Sequence, residues 1–391
     1  MLLVKNLLFY PIFRDFRLVS GHNGLSNEVT GTAIFEWESS EDVDKTFKEG
    51  EFVMTTLSKA KEDPAYAEKC LKMLILKNVS AIAIKKVYFN EISQKIKSFS
   101  TVRNVPIFFF SDIYFDDIIF TIKSALTYNT MNTYYEERIN TLLGSNLNPI
   151  LIEKIAKEIN SSFYNNLICC YVSLTDISND DDLDFYYRNC FNDINRKKDV
   201  QHHSYSVIKH NRGLLIIYTT NTEDLKDGLM DFFNNTGFNI NAFVIGLSRP
   251  YYHLNNLRKA IRESIYTYAS CLIDHIQFQD FDSIGLDKLL MPIRNELWVT
   301  EYYNSFFKKI TEYDTVNNTD FFNTLLEYIE DNGDLQLVAK KRFQHVNTIR
   351  YRIEKVKIIL NIEKNVDSFH QLFVFVRLYH IYKNLAEFTD L

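Results

Sequence analysis

Residues that interrupt or cross-link a backbone are scarce in this chain of 391 residues, which has 11 glycines, 6 prolines and 5 cysteines. So little glycine and proline excludes a collagen-like or linker-dominated protein. The cysteines form no CxxC pair and no regular spacing, which argues against a disulfide framework and a zinc cluster. They are Cys70, Cys169, Cys170, Cys190 and Cys271. We therefore expect a folded protein that has no metal site. Its cysteines suit a reducing compartment.

Long apolar runs are also missing. Runs such as residues 105–110 are far shorter than the roughly 20 residues that a membrane helix needs. The apolar stretch at the start of the chain is interrupted by Lys5, Pro11, Arg14 and Asp15, and no small-residue cleavage site follows it. The expectation is a cytoplasmic protein with neither a signal peptide nor a membrane contact.

The chain has no excess of positive charge, since 44 Lys and Arg stand against 50 Asp and Glu, a formal net charge of -6. Any attraction to nucleic acid must therefore come from a local patch. Hydrophobic residues make up 46% and charged residues 24%, which excludes an intrinsically disordered protein. The length favours two or three domains.

The first 115 residues alternate short β-branched and aromatic runs with amphipathic segments. Four runs predict strands, and two amphipathic segments predict helices. The strands are expected at 32–35, 52–55, 80–84 and 106–109, and the helices at 65–76 and 91–99. This alternation is typical of an α/β layer with a mainly parallel sheet, so residues 1–115 are expected to form an N-terminal α/β domain.

A long segment without glycine or proline follows, between residues 112 and 143. Its apolar residues recur at helical intervals up to Gly144, which predicts one long helix. We assign residues 116–162 to connecting helices. Periodicity leaves two interpretations open: the helix pairs with its copy in a homodimer, or it packs on its own domain.

The rest of the chain mixes strands and helices before it becomes purely helical. Two strands flank His210-Asn211-Arg212-Gly213, a length and composition suited to a tight hairpin turn. The strands are expected at 167–174, 204–209, 214–219, 242–247 and 276–281, and a helix at 254–272. The pattern predicts an α+β domain over 163–285 and an all-α region over 286–391. The fold class is thus multidomain α/β and α+β with an all-α end.

Residues 334–360, DLQLVAKKRFQHVNTIRYRIEKVKIIL, carry the most informative local pattern. Gly333 suits the C′ position after a preceding helix, and Asp334 can cap the next one. That next helix must stop near Phe343, because the apolar stripe of a further helix starts a few residues later. The segment therefore predicts a helix, a tight turn and a second helix.

Positive charge is concentrated around the second of these helices and the turn before it. Between residues 340 and 358, seven Lys and Arg stand against one Glu, a local net charge of +6. Such a patch is expected of a recognition helix, whose N-terminal side chains reach base edges while lysines and hydroxyls reach phosphates. A solvated basic face on a surface helix is the alternative. The predicted DNA contacts are Lys340, Lys341, His345, Asn347, Thr348, Arg350, Tyr351, Arg352 and Lys355.

Residues 345–352, HVNTIRYR, resemble the H-x-N-T-hydrophobic-R-Y-R signature of the PucR/CdaR-type helix-turn-helix regulators. Residues 20–25 and 50–56 are similar to the amino-terminal PucR domain of that family, and residues 244–251 and 257–264 are similar to the distal half of its GGDEF-like domain. The resemblance implies three modules in family order: a sensory domain, a GGDEF-like domain and a C-terminal helix-turn-helix that binds DNA.

A GGDEF-like domain raises the question of nucleotide cyclisation, which in active cyclases depends on a G-G-[DE]-E-F hairpin whose acidic residues hold metal. The corresponding tip here is His210-Asn211-Arg212-Gly213, which has no carboxylate. Hard divalent ions need oxygen ligands, so two-metal chemistry cannot be built there. We expect no enzymatic activity, no catalytic residue and no cofactor.

Three other groups favour structural interpretations. The acidic run Asp180-Asp181-Asp182 with Asp184 is typical of a solvated loop. His202 and His203 point to opposite faces of a strand, so a metal shared with His210 is disfavoured. Cys169 and Cys170 lie within a predicted strand, where packing is the expected role.

Candidate effector contacts in the N-terminal domain are Gly24, Glu36, Thr55 and Thr56. Thr55 and Thr56 follow a predicted strand, and α/β sheets bind ligands at the carboxyl ends of parallel strands. The alternative is that Gly24 only makes a turn and Glu36 a surface contact.

The sequence leads to one main hypothesis, a cytoplasmic homodimeric transcriptional regulator. It would bind a double-stranded DNA operator and answer to a small-molecule effector. The alternative is a ligand-sensing or scaffolding protein whose helical module contacts proteins. Arg342 and Gln344 support it, because the related family usually has apolar residues on either side of the position of Phe343.

Overall fold

The structure is a computed structural model that describes residues 1–39, 42–144, 147–174, 203–236, 240–388 and 391. It divides into two compact units, residues 1–137 and residues 138–391, apart from positions that it does not describe. Within the described ranges, no helix is both long enough and apolar enough to cross a membrane.

The first unit is built on a five-stranded sheet in the order β1-β5-β4-β3-β2. Neighbours from β2 to β5 are parallel, and β1 joins β5 antiparallel. Its elements are α1 (Val4–Leu7), β1 (Arg17–Ser20), β2 (Gly31–Ile34), α2 (Val43–Thr46), β3 (Glu51–Thr55), α3 (Pro64–Leu76), β4 (Ala81–Lys85), α4 (Gln94–Val102), β5 (Ile107–Phe110) and the start of α5 (Phe115–Gly144).

Helices cover both faces of this sheet, which explains why its central strands read as continuous apolar runs. Alternate side chains such as Val53 and Ile82 pack with Leu71 of α3 on one face. Their neighbours, such as Met54, pack with Ile118 of α5 on the other. The first half of α5 therefore belongs to the core of the N-terminal domain.

The second unit begins with the end of α5 and contains a second five-stranded sheet, in the order β10-β9-β6-β8-β7. The pair β9-β10 is parallel and the others are antiparallel. Its elements before the helical region are α6 (Pro149–Ile159), β6 (Asn166–Leu174), β7 (His203–His210), β8 (Gly213–Thr220), α7 (Leu225–Thr236), β9 (Phe243–Leu247), α8 (Leu257–Asp274) and β10 (Phe278–Asp280).

Helix α8 lies directly against β9. A Cβ at Gly246 would stand 2.1 Å from the backbone nitrogen of Tyr268, so only glycine allows this approach. Just beyond β9, the buried carboxylate of Glu263 on α8 accepts hydrogen bonds from Arg249 Nη2 at 2.5 Å and from Tyr251 Oη at 2.6 Å. These contacts join the segments 244–251 and 257–264, the two stretches whose sequence is similar to the PucR family.

The second unit ends in six helices, α9 (Asp287–Ile293), α10 (Leu297–Asn317), α11 (Phe321–Glu330), α12 (Leu335–Lys341), α13 (Val346–Leu360) and α14 (Ser368–Asn384). Apolar side chains from α10, α11, α13 and α14 form one core, represented by Ile310, Leu325, Val356 and Phe375. This core fixes α13 against the rest of the helical region.

The predicted fold class is confirmed: α/β, then α+β, then all-α. The four strands expected in the first domain are each displaced by one residue at most. The helix expected at 91–99 instead spans residues 94–102, because the Ser93 hydroxyl accepts a hydrogen bond from the Ile96 amide and caps it there. The strand expected at 276–281 is shorter, residues 278–280. The domain boundaries expected from the sequence remain a prediction.

Candidate nucleic-acid interface

Helix α12 starts where the sequence predicts. Asp334 Oδ1 accepts hydrogen bonds from the amides of Gln336 at 2.8 Å and Leu337 at 3.1 Å, and so caps the helix. The end of the preceding helix differs by one residue from the prediction. Asn332 occupies the C′ position with φ +52°, and Gly333 follows with φ +83° and donates to the Tyr328 carbonyl at 2.8 Å. The asparagine takes the left-handed position because its short polar side chain tolerates it.

The turn between α12 and α13 is a second helix-ending motif of the same kind. The Gln344 amide donates to the Ala339 carbonyl at 2.9 Å across Phe343, whose φ is +53°. His345 then caps α13, since its Nδ1 accepts from the Asn347 amide at 3.2 Å. The turn therefore ends one helix and starts the next within four residues.

A small apolar cluster holds the two helices together. Val338 and Ala339 of α12 pack on Ile349 and Ile353 of α13, and all four are buried. Ile349 and Ile353 follow the stripe predicted for the second helix, so the opposite face of α13 is left to solvent. The geometry is that of a helix-turn-helix with α13 as the recognition helix.

Five of the nine predicted DNA-contact residues are exposed near the N-terminal end of α13, where a recognition helix meets base edges. They are His345, Asn347, Thr348, Arg350 and Tyr351. Arg350 Nη1 donates to Asn347 Oδ1 at 3.2 Å, which aligns a guanidinium with an amide. Lys340 is also exposed, on α12.

The structure separates the other three predicted residues from this group. Arg352 turns inward and donates from Nη1 to the buried Thr324 Oγ1 at 3.0 Å. Lys355 Nζ lies 5.9 Å from the centre of the Tyr313 ring. Lys341 Nζ lies 2.5 Å from Asp331 Oδ1, an ion pair that uses its charge within the domain.

Arg342 has a structural role that sequence reasoning missed. Its guanidinium bonds Glu327 through Nε and Asp320 through Nη1, both at 2.8 Å, and its side chain is only 12% exposed. Burial disfavours the charged form, but the two carboxylates outweigh that effect and raise the pKa of Arg342. Arg342 is therefore held to α11 by ion pairs, at a position where the family usually has an apolar residue.

In the N-terminal domain, the structure joins two of the four candidate effector residues directly. Thr56 donates its backbone amide to Glu36 Oε1 and its hydroxyl to Glu36 Oε2, the latter at 2.5 Å. Thr55 is buried, and its Oγ1 accepts from the Leu57 amide at 2.8 Å. The pair links the carboxyl ends of the neighbouring parallel strands β2 and β3.

Gly24 lies apart from these three residues. A Cβ there would stand 2.0 Å from the Asn104 carbonyl oxygen, so the glycine is needed for close packing. A cavity of about 470 Å³, lined by Gly50, Ser80 and Asn104 among others, opens at the amino ends of the parallel strands. Glu36 and Thr56 lie at the opposite, carboxyl ends of these strands. No sequence pattern indicated the cavity.

We expect Thr56→Val to destabilise the N-terminal domain by about 1 kcal/mol, because Glu36 loses a hydrogen bond at a half-buried site. Thermal unfolding followed by circular dichroism checks this. Thr121→Val is the matched control, since the Thr121 hydroxyl donates only to the Asp117 carbonyl of its own helix. Equal unfolding midpoints for the two variants would show that the Glu36–Thr56 contact contributes nothing.

The histidines, cysteines and acidic run considered in the sequence analysis remain to be placed in the structure. His210 is buried, and its Nε2 lies 3.0 Å from Asn140 Oδ1. Cys169 and Cys170 are buried in β6, and burial raises the pKa of both thiols. Residues 180–184 and His202 lie outside the described residues. No group of three metal-ligating side chains occurs in the part of the chain that the structure describes.

The folds and the helix-turn-helix define a protein with an N-terminal α/β domain and a C-terminal candidate DNA-binding domain. Residues 6–126 match the purine catabolism regulatory protein-like family (PucR), and residues 321–376 match the PucR C-terminal helix-turn-helix domain. The resemblance seen in the sequence is confirmed for these two modules: this chain carries both of these PucR-family domains.

Two curated relatives come from Bacillus subtilis (strain 168). The chain is 26% identical over 102 residues to the DNA-binding transcriptional activator AdeR, which is 26% of this chain and 24% of AdeR. It is 25% identical over 123 residues to the proline-responsive transcriptional activator PutR, which is 30% of each chain. The matches thus span less than a third of each relative, and both relatives are regulators by name.

One solved structure is similar in part, the regulator of polyketide synthase expression from Bifidobacterium adolescentis. The match covers 64% of this chain and 98% of that chain, at 12% identity and a TM-score of 0.29.

Proposed function

We propose that this protein is a transcriptional regulator, not an enzyme, that binds double-stranded DNA through α12 and α13. The observation that carries the proposal is the arrangement at the start of α13. There, exposed Asn347, Arg350 and Tyr351 stand on a helix whose opposite face is locked into a helix-turn-helix core. Both matched families and both curated relatives agree with this class.

The chemistry of the exposed group suits DNA. Arginine can make two hydrogen bonds to guanine, and asparagine can make two to adenine, in the major groove. Lys340, Thr348 and His345 at the edge of the surface suit phosphate oxygens. Arg352, Lys355 and Lys341 are assigned to holding the domain together, because each already contacts α10, α11 or the turn after α11.

The scaffolding alternative loses its main support. It rested on Arg342 and Gln344 in place of apolar residues, which suggested a weakened helix-turn-helix. Arg342 instead pairs with Asp320 and Glu327, and the Gln344 amide closes the turn through the Ala339 carbonyl. Arg342 therefore ties the turn to α11, while the buried cluster of Val338, Ala339, Ile349 and Ile353 holds α12 to α13.

Regulation is proposed to start in the N-terminal domain. A small-molecule effector would bind near Glu36, Thr55 and Thr56, with Gly24 serving the packing of that domain. It can change DNA affinity only if it binds two arrangements of the protein with different affinity. The middle domain, residues 163–285, is taken as a GGDEF-like module without catalysis, since Asn211 and Arg212 of its hairpin tip supply no carboxylate.

A homodimer suits this function, because two recognition helices read two half-sites of an operator. Helix α5 supports the proposal with Phe120 and Met131, large apolar side chains that are exposed on the described chain. A regulator of this kind works where the DNA is, so we place it in the cytoplasm.

The proposed function is tested by DNA binding across a salt series. The full chain should select specific duplexes from a random-sequence pool. Its affinity for one of them should fall as salt rises, with a slope of log affinity against log salt of about -0.9 for each phosphate that the protein neutralises, because phosphate contacts release counterions. Fluorescence anisotropy gives the slope of log affinity against log salt.

Lys340→Ala should make that slope shallower by about one unit for each phosphate that the lysine neutralises. Lys308→Ala is the control, since Lys308 on α10 lies 3.7 Å from Glu312 and is assigned no phosphate. Failure to enrich any duplex, at low or high salt, would refute DNA binding and favour the protein-contact alternative.

A further inference from the structure

Phe343, in the turn of the helix-turn-helix, combines two costly properties. Its backbone is left-handed, with φ +53°, and its side chain is 97% exposed. Left-handed backbone is unfavourable for residues with a Cβ, and most of all for bulky ones. An exposed phenyl ring also leaves its apolar surface in water.

Comparison with the other left-handed residues shows how unusual this position is. Nine non-glycine residues have positive φ in the described chain, and six of them are asparagine, which tolerates the conformation. Leu57 is a bulky exception, but its side chain is buried and contributes to the core of its domain. Phe343 has no such compensation.

The turn itself does not need the phenyl ring. The bonds that close it run from the Phe343 amide to the Lys340 carbonyl at 3.3 Å and from the Gln344 amide to the Ala339 carbonyl at 2.9 Å. Both use backbone atoms, so glycine or asparagine would close the turn at lower cost. Among the described residues, no ring contact involves Phe343. The phenyl ring therefore takes no part in closing the turn.

The position of Phe343 relative to α13 indicates what the phenyl ring could contact. Phe343 precedes the cap of the recognition helix by two residues and is followed by exposed His345, Asn347 and Arg350. The N-terminal end of such a helix meets base edges in the major groove. A phenyl ring cannot hydrogen-bond there, and the apolar group that the major groove offers is the thymine 5-methyl.

We propose that Phe343 is a specificity-determining residue that packs on a thymine 5-methyl group at the edge of each half-site. The proposal rests on the DNA binding proposed above and adds a named contact to it. It explains why a residue with an unfavourable backbone conformation and an exposed ring occupies the turn. On DNA, the apolar surface of the phenyl ring becomes buried, whereas in the free protein it is exposed to water.

The test removes the methyl group and the ring separately. The full chain is used with a duplex selected by the unaltered protein, and each thymine is replaced in turn by uracil, which lacks only the 5-methyl. At one position per half-site, uracil should weaken binding of the unaltered protein about fourfold, the value of one buried methyl-sized group. Phe343→Gly should bind the thymine duplex about tenfold more weakly and be indifferent to uracil at that position.

Stability provides the second measurement. Phe343→Gly should unfold a few degrees higher than the unaltered protein, since it removes the left-handed phenylalanine. Weaker DNA binding by a more stable protein cannot come from misfolding. Asn361→Gly is the control, because Asn361 is left-handed and exposed at the far end of α13 and should leave DNA affinity unchanged.

Each contrary result has a distinct meaning. If Phe343→Gly binds the selected duplex as tightly as the unaltered protein does, the ring is not used on DNA and the proposal fails. If it binds more weakly but remains sensitive to uracil, the thymine contact is wrong. If no thymine in the duplex responds to uracil, the proposal also fails. If no duplex is selected at all, DNA binding itself is refuted, and this assignment with it.

Discussion

Arg377→Met is expected to destabilise the second unit by about 3–5 kcal/mol, because it leaves a buried carboxylate without its cation. Arg377 on α14 donates from Nε and Nη2 to Asp287 at 2.7 and 2.6 Å, and from Nη1 to Asp274 at 2.5 Å. Asp287 is only 1% exposed. Burial disfavours the guanidinium cation, but the two carboxylates outweigh that effect and raise the pKa of Arg377.

This cluster joins three helices that are distant in sequence. Asp274 ends α8 of the middle domain, Asp287 begins α9, and Arg377 lies in the last helix. Loss of the arginine would therefore weaken the link between the middle domain and the helical region that carries α13, as well as lower stability. The link gives the domain that holds the recognition helix a defined place on the second sheet.

Chemical denaturation followed by circular dichroism and tryptophan fluorescence measures the effect. Lys308→Met is the control, since its exposed pair with Glu312 should contribute less than about 0.5 kcal/mol. Adding Asp287→Asn to Arg377→Met should restore part of the loss, because the orphaned charge is removed. A loss under about 1 kcal/mol for Arg377→Met, or no recovery in the double variant, would contradict the buried-pair argument.

Much of the fold could be predicted because burial determines where apolar residues occur along the sequence. The strands β3, β4 and β5 are covered on both faces, so their apolar runs stand out from the helices between them. Strand β1 gave no such signal, since Arg17 to Val19 remain partly or fully exposed at the sheet edge. Its pairing with β5 depends on contacts about ninety residues away along the chain, which local patterns do not encode.

The candidate site was predicted only in part, for a similar reason. Helical periodicity correctly separates the buried Ile349 and Ile353 from the exposed Asn347 and Arg350. It does not decide the direction of side chains at the boundary of the two faces. Arg352 lies there, and its hydrogen bond to Thr324 depends on how α11 packs against α13.

Partners from distant helices also change the charge of the surface. The +6 of residues 340–358 counts Lys341 and Arg342 as available to DNA, whereas three carboxylates on α11 and its flanks neutralise them. These acids lie 10 to 22 residues upstream of their partners. The part of the surface that remains for DNA is therefore smaller and lies closer to the turn than the sequence alone suggests.

Arg350→Ala and Arg352→Ala should separate DNA recognition from stability, although the two arginines are only two residues apart. Arg350 is exposed and its guanidinium lies beside Asn347, so its loss should cost about 1–3 kcal/mol of specific binding per half-site. In a dimer that reads two half-sites, the affinity for a selected duplex should fall by at least about 30-fold, with an unchanged unfolding midpoint. Arg352→Ala should instead lower stability by about 1 kcal/mol, because the buried Thr324 hydroxyl loses its donor, and should retain specific binding under conditions where the protein is folded.

Arg350→Lys completes the comparison, because lysine keeps the positive charge but cannot make two parallel hydrogen bonds to one base. It should therefore preserve binding to unrelated DNA at low salt while losing most of the preference for the selected duplex. Anisotropy titrations with selected and scrambled duplexes, together with thermal unfolding of the same preparations, measure both quantities. Equal losses of specific binding in Arg350→Ala and Arg352→Ala, at equal stability, would mean that α13 presents a different face to DNA. Because Arg352 contacts α11 and Arg350 does not, only a recognition helix that docks through Asn347, Arg350 and Tyr351 produces opposite results from these two neighbours.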